Sequence, residues 1–325
     1  MAKKNENQTY ITPAGNVVSG PPHLNKPKSP YEVFHIINGI IFILVCLIIL
    51  IPIWKILVDS LDLTTGSGMR LFPAKFGFDG YVSIFTDKSL LQPLGISFLT
   101  TICGTFLGLF LSTIGAYVLI QWEMPGRSLL GNLLMFTMIF SGGTIPTYII
   151  LNNLHLVNTL WVVILMPAIN VYNLVLMRNF FEGIPVSLFE SANLDGCTPW
   201  QTFYKIALPL SKAALASIGL MFAVAYWNDY TNYRLYASDR NLYNLQMKLR
   251  DMIASSDQPS AVGGATENTI KNAVIITAIL PFMVLYPFLQ KYFVKGINIG
   301  AVKEYGRGGL SDRPHTPFGL QKRTS

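Results

Sequence analysis

The chain contains few charged residues. Asp, Glu, Lys and Arg make up 13% of its 325 residues, whereas hydrophobic residues make up 51% and the mean hydropathy is +0.42. Soluble globular domains carry a larger share of charge, about 25%. The shortage of charge therefore excludes an ordinary soluble domain and favours an integral membrane protein with several spans.

The motifs of common catalytic sites are also missing. The sequence contains no G-x-x-x-x-G-K-[ST] phosphate loop, H-E-x-x-H helix, C-x-x-C pair or G-x-S-x-G turn. We therefore expect neither ATP hydrolysis by this chain nor intramembrane catalysis. The three cysteines, Cys46, Cys103 and Cys197, lie far apart, so a disulfide framework is not predicted. No metal site and no cofactor bound to this chain are predicted either.

Long apolar runs are what the sequence has in abundance. A spanning helix needs about 20 mostly apolar residues, and the stretches from Phe34 to Trp54 and from Leu90 to Trp122 contain no formal charge. The predicted fold class is an all-α integral membrane protein with six transmembrane helices. The predicted spans are 34–57, 94–120, 129–151, 156–177, 210–231 and 272–293. The predicted domains are a polar N-terminal tail at 1–33, a transmembrane domain at 34–293 with outer loops at 58–93 and 232–271, and a C-terminal tail at 294–325.

The net charge of +7 is spread over both tails and the loops. Because the basic residues form no single patch, nucleic acid is not expected as a partner. The side with both tails, the 121–128 loop and a polar segment at 185–209 (here termed the elbow) carries fifteen Lys and Arg residues, and the other side carries nine. The excess places the tails and the elbow in the cytoplasm.

Glycine and proline mark two places inside the predicted spans. Gly104, Gly108 and Gly115 recur at helical spacing and would let another helix approach closely. The stripe predicts either a helix that slides against its neighbour or a static packing seam, and the sequence leaves both open. Gly143 and Pro146 interrupt the third span, so we expect a break or bend there.

The first half of the elbow contains signals for the start and the end of a helix. Pro185 presets a helix start, and Ser187 with Glu190 has the spacing of a capping box. Gly196 follows, at a position where a left-handed backbone would end the helix. We therefore expect one short helix between Pro185 and Gly196.

The second half of the elbow predicts another short helix. Thr198 is the expected N-cap, Pro199 the first helical residue and Gln201 the partner in a capping box. Trp200 gives this helix part of an apolar face, and Pro209 is expected to end it. The alternative interpretation is a passive amphipathic segment lying on the lipid surface.

The elbow resembles the EAA signature of ABC-importer permeases, E-A-A-x-x-D-G-A-x8-I-x-L-P, with Ser191 and Cys197 in place of two alanines. The resemblance implies a loop that couples the permease to an ATPase. In such a loop Glu190 would be the polar contact to the ATPase, Gly196 the turn, and the apolar face would fill a groove of the ATPase. The residues implied are Glu190, Ser191, Ala192, Asp195, Gly196, Phe203, Ile206, Leu208 and Pro209.

Motifs outside the elbow are similar to those of the second permease of carbohydrate importers, the LplC-like group of the maltose-permease superfamily. They are N-T-L-W at 158–161, R-N-F-F at 178–181, W-N at 227–228 and L-Q-x-x-L-R at 245–250. The resemblance implies a type I ABC importer permease fold in the bacterial cytoplasmic membrane and an oligo- or polysaccharide substrate. The implied partners are a second homologous permease, two cytoplasmic subunits that bind ATP-Mg, and an extracytoplasmic solute-binding protein.

Polar and aromatic side chains inside apolar stretches form a candidate substrate path. Aromatic faces stack on sugar C–H groups and amides bind hydroxyls, so we assign Asn170, Asn173, Trp227, Asn228 and Tyr230 to this path. Interhelical hydrogen bonds and an interfacial aromatic belt are the alternatives.

The rival function is a secondary transporter or channel driven by an ion gradient. Such proteins place ionisable groups in the membrane, whereas the middles of these spans are almost free of charge.

Overall fold

The computed structural model describes residues 9–11, 17–19, 30–64, 70–121, 124–254 and 264–307. At residues 9–11, 17–19, 30–33, 289 and 291–307 the description is limited to the backbone. The chain divides into two units, Met1–Lys55 and Ile56–Ser325, and each is described by itself.

The first unit contains two short strands and most of the first helix. Strands β1 (Thr9–Ile11) and β2 (Val17–Ser19) pair antiparallel, with Tyr10 opposite Val18. Their Thr, Tyr, Ile and Val residues favour extended backbone. Helix α1 (Pro30–Ser60) covers the first predicted span and ends within the second unit. The strands are a small addition to the predicted all-α fold.

The described part of the second unit is helical apart from its turns and loops. Its helices are α2 (Asp79–Thr86), α3 (Lys88–Ile120), α4 (Arg127–Ile139), α5 (Thr144–Asn153), α6 (Leu160–Leu165), α7 (Val171–Glu182), α8 (Val186–Leu194), α9 (Pro199–Thr202), α10 (Leu208–Leu210), α11 (Lys212–Trp227), α12 (Thr231–Tyr236), α13 (Leu245–Ala254) and α14 (Glu267–Arg307). A π-helical turn (Phe203–Ala207) joins α9 to α10, and a 3-10 turn (Arg240–Leu242) precedes α13.

Membrane-spanning length is reached by continuous helices and by bent pairs. Within the described ranges, three helical segments are long and apolar enough to cross a bilayer: Phe34–Ser60 of α1, all of α3, and Glu267–Phe288 of α14. Two bent pairs would raise this number to five if each pair is one span. They are α4 with α5, at 114°, and Pro199–Leu210 with α11, at 80°. The predicted bend near Gly143 is confirmed, because this glycine has φ +90° in the gap between α4 and α5.

The fourth predicted span, 156–177, is broken in the structure. Helix α6 and most of α7 occupy it, and the residues between them include Pro167. Asn170 caps α7 by accepting a hydrogen bond from the backbone N–H of Asn173. Hydropathy does not reveal this break, because apolar residues fill both halves of the segment.

The glycine stripe of α3 forms a close-packed seam with α11 and α7. A Cβ atom on Gly104 would lie within 2.7 Å of the Tyr226 ring, and one on Gly108 within 2.7 Å of the Phe222 ring. The Tyr226 hydroxyl donates to the carbonyl of Ile164 at 2.6 Å, which holds the ring in place. The stripe therefore packs closely against its neighbours in this structure, and sliding of α3 against them stays a prediction.

Candidate functional site

The first elbow helix begins two residues earlier than its capping signals indicated. Helix α8 starts at Val186, with Pro185 as the N-cap residue and without a side-chain cap. The capping box predicted for Ser187 and Glu190 is therefore wrong, because Ser187 is already inside the helix. Its carbonyl accepts a hydrogen bond from Ser191 Oγ at 2.9 Å.

The turn and the start of the second helix match the prediction. Gly196 has φ +75°, a left-handed conformation that favours glycine. Thr198 Oγ1 accepts from the N–H of Gln201 at 3.3 Å, and Gln201 Oε1 accepts from the N–H of Thr198 at 2.9 Å. Both bonds of the predicted capping box are therefore present.

The end of the second helix differs from the prediction. The chain stays helical through Leu210 and turns at Ser211, so Pro209 does not end it. The N–H of Leu208 bonds to the carbonyl of Phe203, five residues back, which widens this turn into a π-helix. Because proline has no N–H to donate, a turn with an altered hydrogen-bond pattern accommodates Pro209 inside the helical segment.

The elbow is anchored to the end of α3. Phe203 and Ala207 are buried in a cluster with Tyr117 of α3 and Phe181 of α7. The Tyr117 hydroxyl donates to the carbonyl of Pro199 at 2.9 Å, and the rings of Tyr117 and Phe203 lie 4.8 Å apart. The elbow is thus held at the C-terminal end of α3, whereas α2 precedes the N-terminal end of the same helix.

The surface that the elbow exposes differs from the apolar face expected from the sequence. Phe203 faces inward, and the large apolar side chains that stay accessible include Leu194 (89% exposed) and Trp200 (57% exposed). The other predicted coupling residues are divided in the same way. Glu190, Ser191, Asp195, Gly196 and Pro209 are exposed, Ile206 and Leu208 are partly buried, and Ala192 is buried.

A cleft of about 550 Å³ opens beside Glu190. Its wall includes Tyr117, Arg127, and Glu190 and Asn193 of α8. Glu182, which also lines the cleft, accepts a hydrogen bond from Arg178 at 2.9 Å. The cleft thus combines both signs of charge with the aromatic ring that anchors the elbow.

Two of the five candidate substrate-path residues lie at the start of α7, Asn170 as its N-cap and Asn173 in its first turn, and a third lies in the core. Asn170 is exposed, whereas Asn173 is buried. Trp227 is also buried: its Nε1 donates to the carbonyl of Ala278 at 2.9 Å, and its ring packs on Phe98. In this structure Trp227 ties α11 to α14, so its ring presents no face to a substrate.

The remaining two path residues meet helix α13. Asn228 is exposed, and its Oδ1 lies 3.4 Å from Gln246 Nε2. The guanidinium carbon of Arg250 lies 4.1 Å from the centroid of the Tyr230 ring. Because Gln246 and Arg250 are one helical turn apart, they lie on the same face of α13. The amides of Asn228 and Gln246, the Tyr230 ring and the Arg250 cation therefore share one surface. Asn228 and Gln246 also line a groove of about 470 Å³ between α11 and α14.

Comparison with known proteins identifies the family. Residues 19–299 match the family model described as "Binding-protein-dependent transport system inner membrane component". The chain belongs to this permease family. The permease is 43% identical to "Protein LplC" of Bacillus subtilis (strain 168) over 239 residues, which covers 72% of this chain and 81% of that protein.

A second relative and a solved structure agree with this assignment. The permease is 39% identical to "Polygalacturonan/rhamnogalacturonan transport system permease protein YtcP" of Bacillus subtilis (strain 168), over 81% of this chain and 95% of that protein. It also matches a chain of a bacterial ABC transporter involved in the import of the acidic polysaccharide alginate. That match has a TM-score of 0.75 and 29% identity, and it covers 82% of this chain and 99% of the other.

These comparisons confirm the predicted family and fold class. The chain is a carbohydrate ABC permease of the LplC-like group, an all-α integral membrane protein with the type I ABC importer permease fold. Its relatives include transport proteins for oligosaccharides and polysaccharides. Because the family consists of inner membrane components, the permease lies in the bacterial plasma membrane.

Sequence reasoning missed three residues of the site in this permease. Tyr117 anchors the elbow from a distance of 82 residues along the chain. Gln246 and Arg250 were noted only as part of a family motif, although they meet Asn228 and Tyr230 in space. A tyrosine near the end of a long span was the available signal for Tyr117, but its partner depends on how distant helices pack.

Proposed function

We propose that this permease forms part of the translocation path of an ATP-driven, binding-protein-dependent importer for an oligo- or polysaccharide. A second homologous permease would complete the path, and an extracytoplasmic binding protein would deliver the substrate. Two cytoplasmic subunits would bind and hydrolyse ATP-Mg. Both termini and the elbow would then face the cytoplasm. The family match and the permease relatives support this assignment.

The observation that carries the coupling role is the way in which the elbow is built. Its exposed edge carries Glu190, Leu194 and Trp200, which offer a partner one charge and two apolar side chains. Its inner edge is fixed by Phe203 and Tyr117. A force applied to the exposed edge would therefore move the elbow together with the helix ends around it.

Helix α11 is the element that would receive this motion. The helical segment of the elbow ends at Ser211, and α11 starts at the next residue after an 80° bend. Phe222 and Tyr226 of α11 pack on the glycines of α3. Displacement of the elbow would change this seam and open the path alternately to the two sides of the membrane.

The substrate would meet the polar end of α11. Tyr230 offers an aromatic ring, Asn228 and Gln246 offer amides, and Arg250 offers a cation. These groups suit the hydroxyls and C–H faces of a sugar. The relatives named for polygalacturonan and arabinooligosaccharide transport support the same class of substrate.

Uptake into proteoliposomes tests the proposed energy source. The complete transporter would be reconstituted with its binding protein, and entry of a labelled oligosaccharide would be measured with ATP-Mg on the ATPase side. We expect uptake with ATP and none with a non-hydrolysable analogue or with a proton or sodium gradient alone. Gradient-driven uptake without ATP would instead establish a secondary transporter or channel.

A further inference from the structure

Helix α2 lies between two helices of membrane-spanning length. Helix α1 ends at Ser60, whose hydroxyl is 2.7 Å from the hydroxyl of Tyr81 on α2. Helix α3 follows α2 directly, with Asp87 as the residue between them and as the N-cap of α3. Because both neighbours are long enough to cross a bilayer, the connecting segment lies where they leave the hydrocarbon core.

The two faces of α2 differ in what covers them. Gly80, Ser83 and Ile84 are buried, and a Cβ atom on Gly80 would lie 3.1 Å from the side chain of Thr269 on α14. The opposite face carries Phe78, Val82 and Phe85, at helical spacings of four and three residues. All three side chains are exposed. The helix is therefore apolar on its outer face as well, which is costly in water.

The loop before α2 extends this apolar face. Leu71, Phe72 and Phe76 are exposed, and the rings of Phe76 and Phe78 lie 5.0 Å apart, edge to face. We call these six residues the α2 patch: Leu71, Phe72, Phe76, Phe78, Val82 and Phe85. Their side chains are between 48% and 73% exposed.

The backbone of this loop is held in place from behind. The buried carboxylate of Asp62 accepts hydrogen bonds from the backbone N–H groups of Ala74 and Lys75 at 3.1 and 3.3 Å. The side chain of Lys75 is exposed within the patch sequence, between Phe72 and Phe76, and that of Lys88 is exposed three residues after Phe85. The apolar side chains are thus presented by a fixed backbone together with two exposed lysines.

We propose that the α2 patch binds the surface of the lipid bilayer, with its apolar side chains in the boundary between headgroups and acyl chains. An interfacial helix lies in the plane of the membrane surface with its apolar face toward the acyl chains and basic residues toward the headgroups. Lys75 and Lys88 would contact lipid phosphates. This contact fixes α2, and with it the start of α3, at one depth in the membrane. The proposal rests on the placement of α2 between two spanning helices and does not depend on which substrate is transported.

Spin labels can locate the patch in the assembled transporter. Cys46, Cys103 and Cys197 would be replaced by alanine, and single labels would be placed through Phe78→Cys, Val82→Cys and Phe85→Cys. Ser238→Cys, in an exposed turn after α12, is the matched water control, and Ile43→Cys, in the middle of α1, is the lipid control. Substrate uptake by each labelled transporter would confirm that it is folded and assembled.

Collisions with oxygen and with a water-soluble nickel chelate report the surroundings of each label. We expect the three α2 labels in proteoliposomes to collide with oxygen several-fold more often than with the chelate, as at Ile43, and the Ser238 label to show the reverse. The pattern should not change when the binding protein is added. High chelate accessibility that falls on addition of the binding protein would assign the patch to that protein and overturn the proposal. Low accessibility to both reagents would place the patch under another subunit and would also overturn it.

Discussion

Substitution of Gly104 by alanine tests the seam between α3 and α11. The new Cβ atom would lie 2.7 Å from Cδ1 of Tyr226 and closer still to Cε1 and Cζ. The ring cannot turn away easily, because it is only 2% exposed and its hydroxyl is bonded to Ile164. Either the ring or helix α3 must therefore move.

The expected cost follows from two opposing effects. Overpacking of a close-packed interior costs about 1–3 kcal/mol, whereas replacing glycine by alanine inside a helix gains up to about 1 kcal/mol. We expect Gly104→Ala to lower the free energy of unfolding by about 1–2 kcal/mol. Gly95→Ala, in the same helix, is the matched control. Its new Cβ would meet no atom of the described residues within 4 Å, so only the gain should remain.

Equilibrium unfolding of the purified permease in detergent measures both variants. The cost of Gly104→Ala should disappear in a Tyr226→Ala background, because the ring that it strikes is then absent. If Gly104→Ala and Gly95→Ala have the same effect on the free energy of unfolding, or if removing the ring does not relieve the cost, the packing argument is refuted.

Three further predictions concern the elbow, the outer loop and the substrate path. Thr198→Ala should remove the N-cap, at a cost of about 1 kcal/mol, and increase amide hydrogen exchange at 200–202, whereas Thr198→Ser should not. Burial acts to raise the pKa of the Asp62 carboxyl, but the hydrogen bonds donated to it prevail and hold that pKa below its ordinary value. The stability that Asp62 contributes is therefore complete above about pH 4 and is lost as the pH falls further. Asp62→Asn should lower the melting temperature at neutral pH and make the melting temperature depend less on pH in the acid range. If the melting temperature of the variant falls with acid as steeply as that of the unchanged protein, this reasoning is contradicted. Arg250→Gln should raise the substrate concentration needed for half-maximal uptake, and Arg234→Gln, at another exposed arginine, should not.

Local features of the elbow could be predicted from the sequence where one residue type fixes the geometry. Gly196 has the expected left-handed backbone, and Thr198 with Gln201 forms the expected capping box. Both depend on groups no more than three residues apart. Ser187 fits the same capping pattern, yet it lies inside α8 because the helix starts at Val186. A pattern of residue types therefore fixes the hydrogen bonds only when the helix starts at the expected residue.

Features that depend on packing between distant helices could not be predicted. Trp227 resembles a residue of an aromatic belt or a sugar site, but its indole bonds to a carbonyl 51 residues later in the chain. Phe203 was expected to contact a partner and instead contacts Tyr117. Which apolar side chain faces inward depends on the neighbouring helix, and periodicity within one helix does not contain that information.

The most direct test of the coupling claim is ATP-driven uptake by the reconstituted transporter carrying Gly196→Pro or Glu190→Lys. Ser238→Lys adds a lysine at an exposed site outside the elbow and serves as the control. Uptake should be abolished by both elbow variants while the permease remains folded in the membrane, and it should be unchanged by the control. Normal uptake by either elbow variant, with the ATPase subunits still associated, would contradict the account.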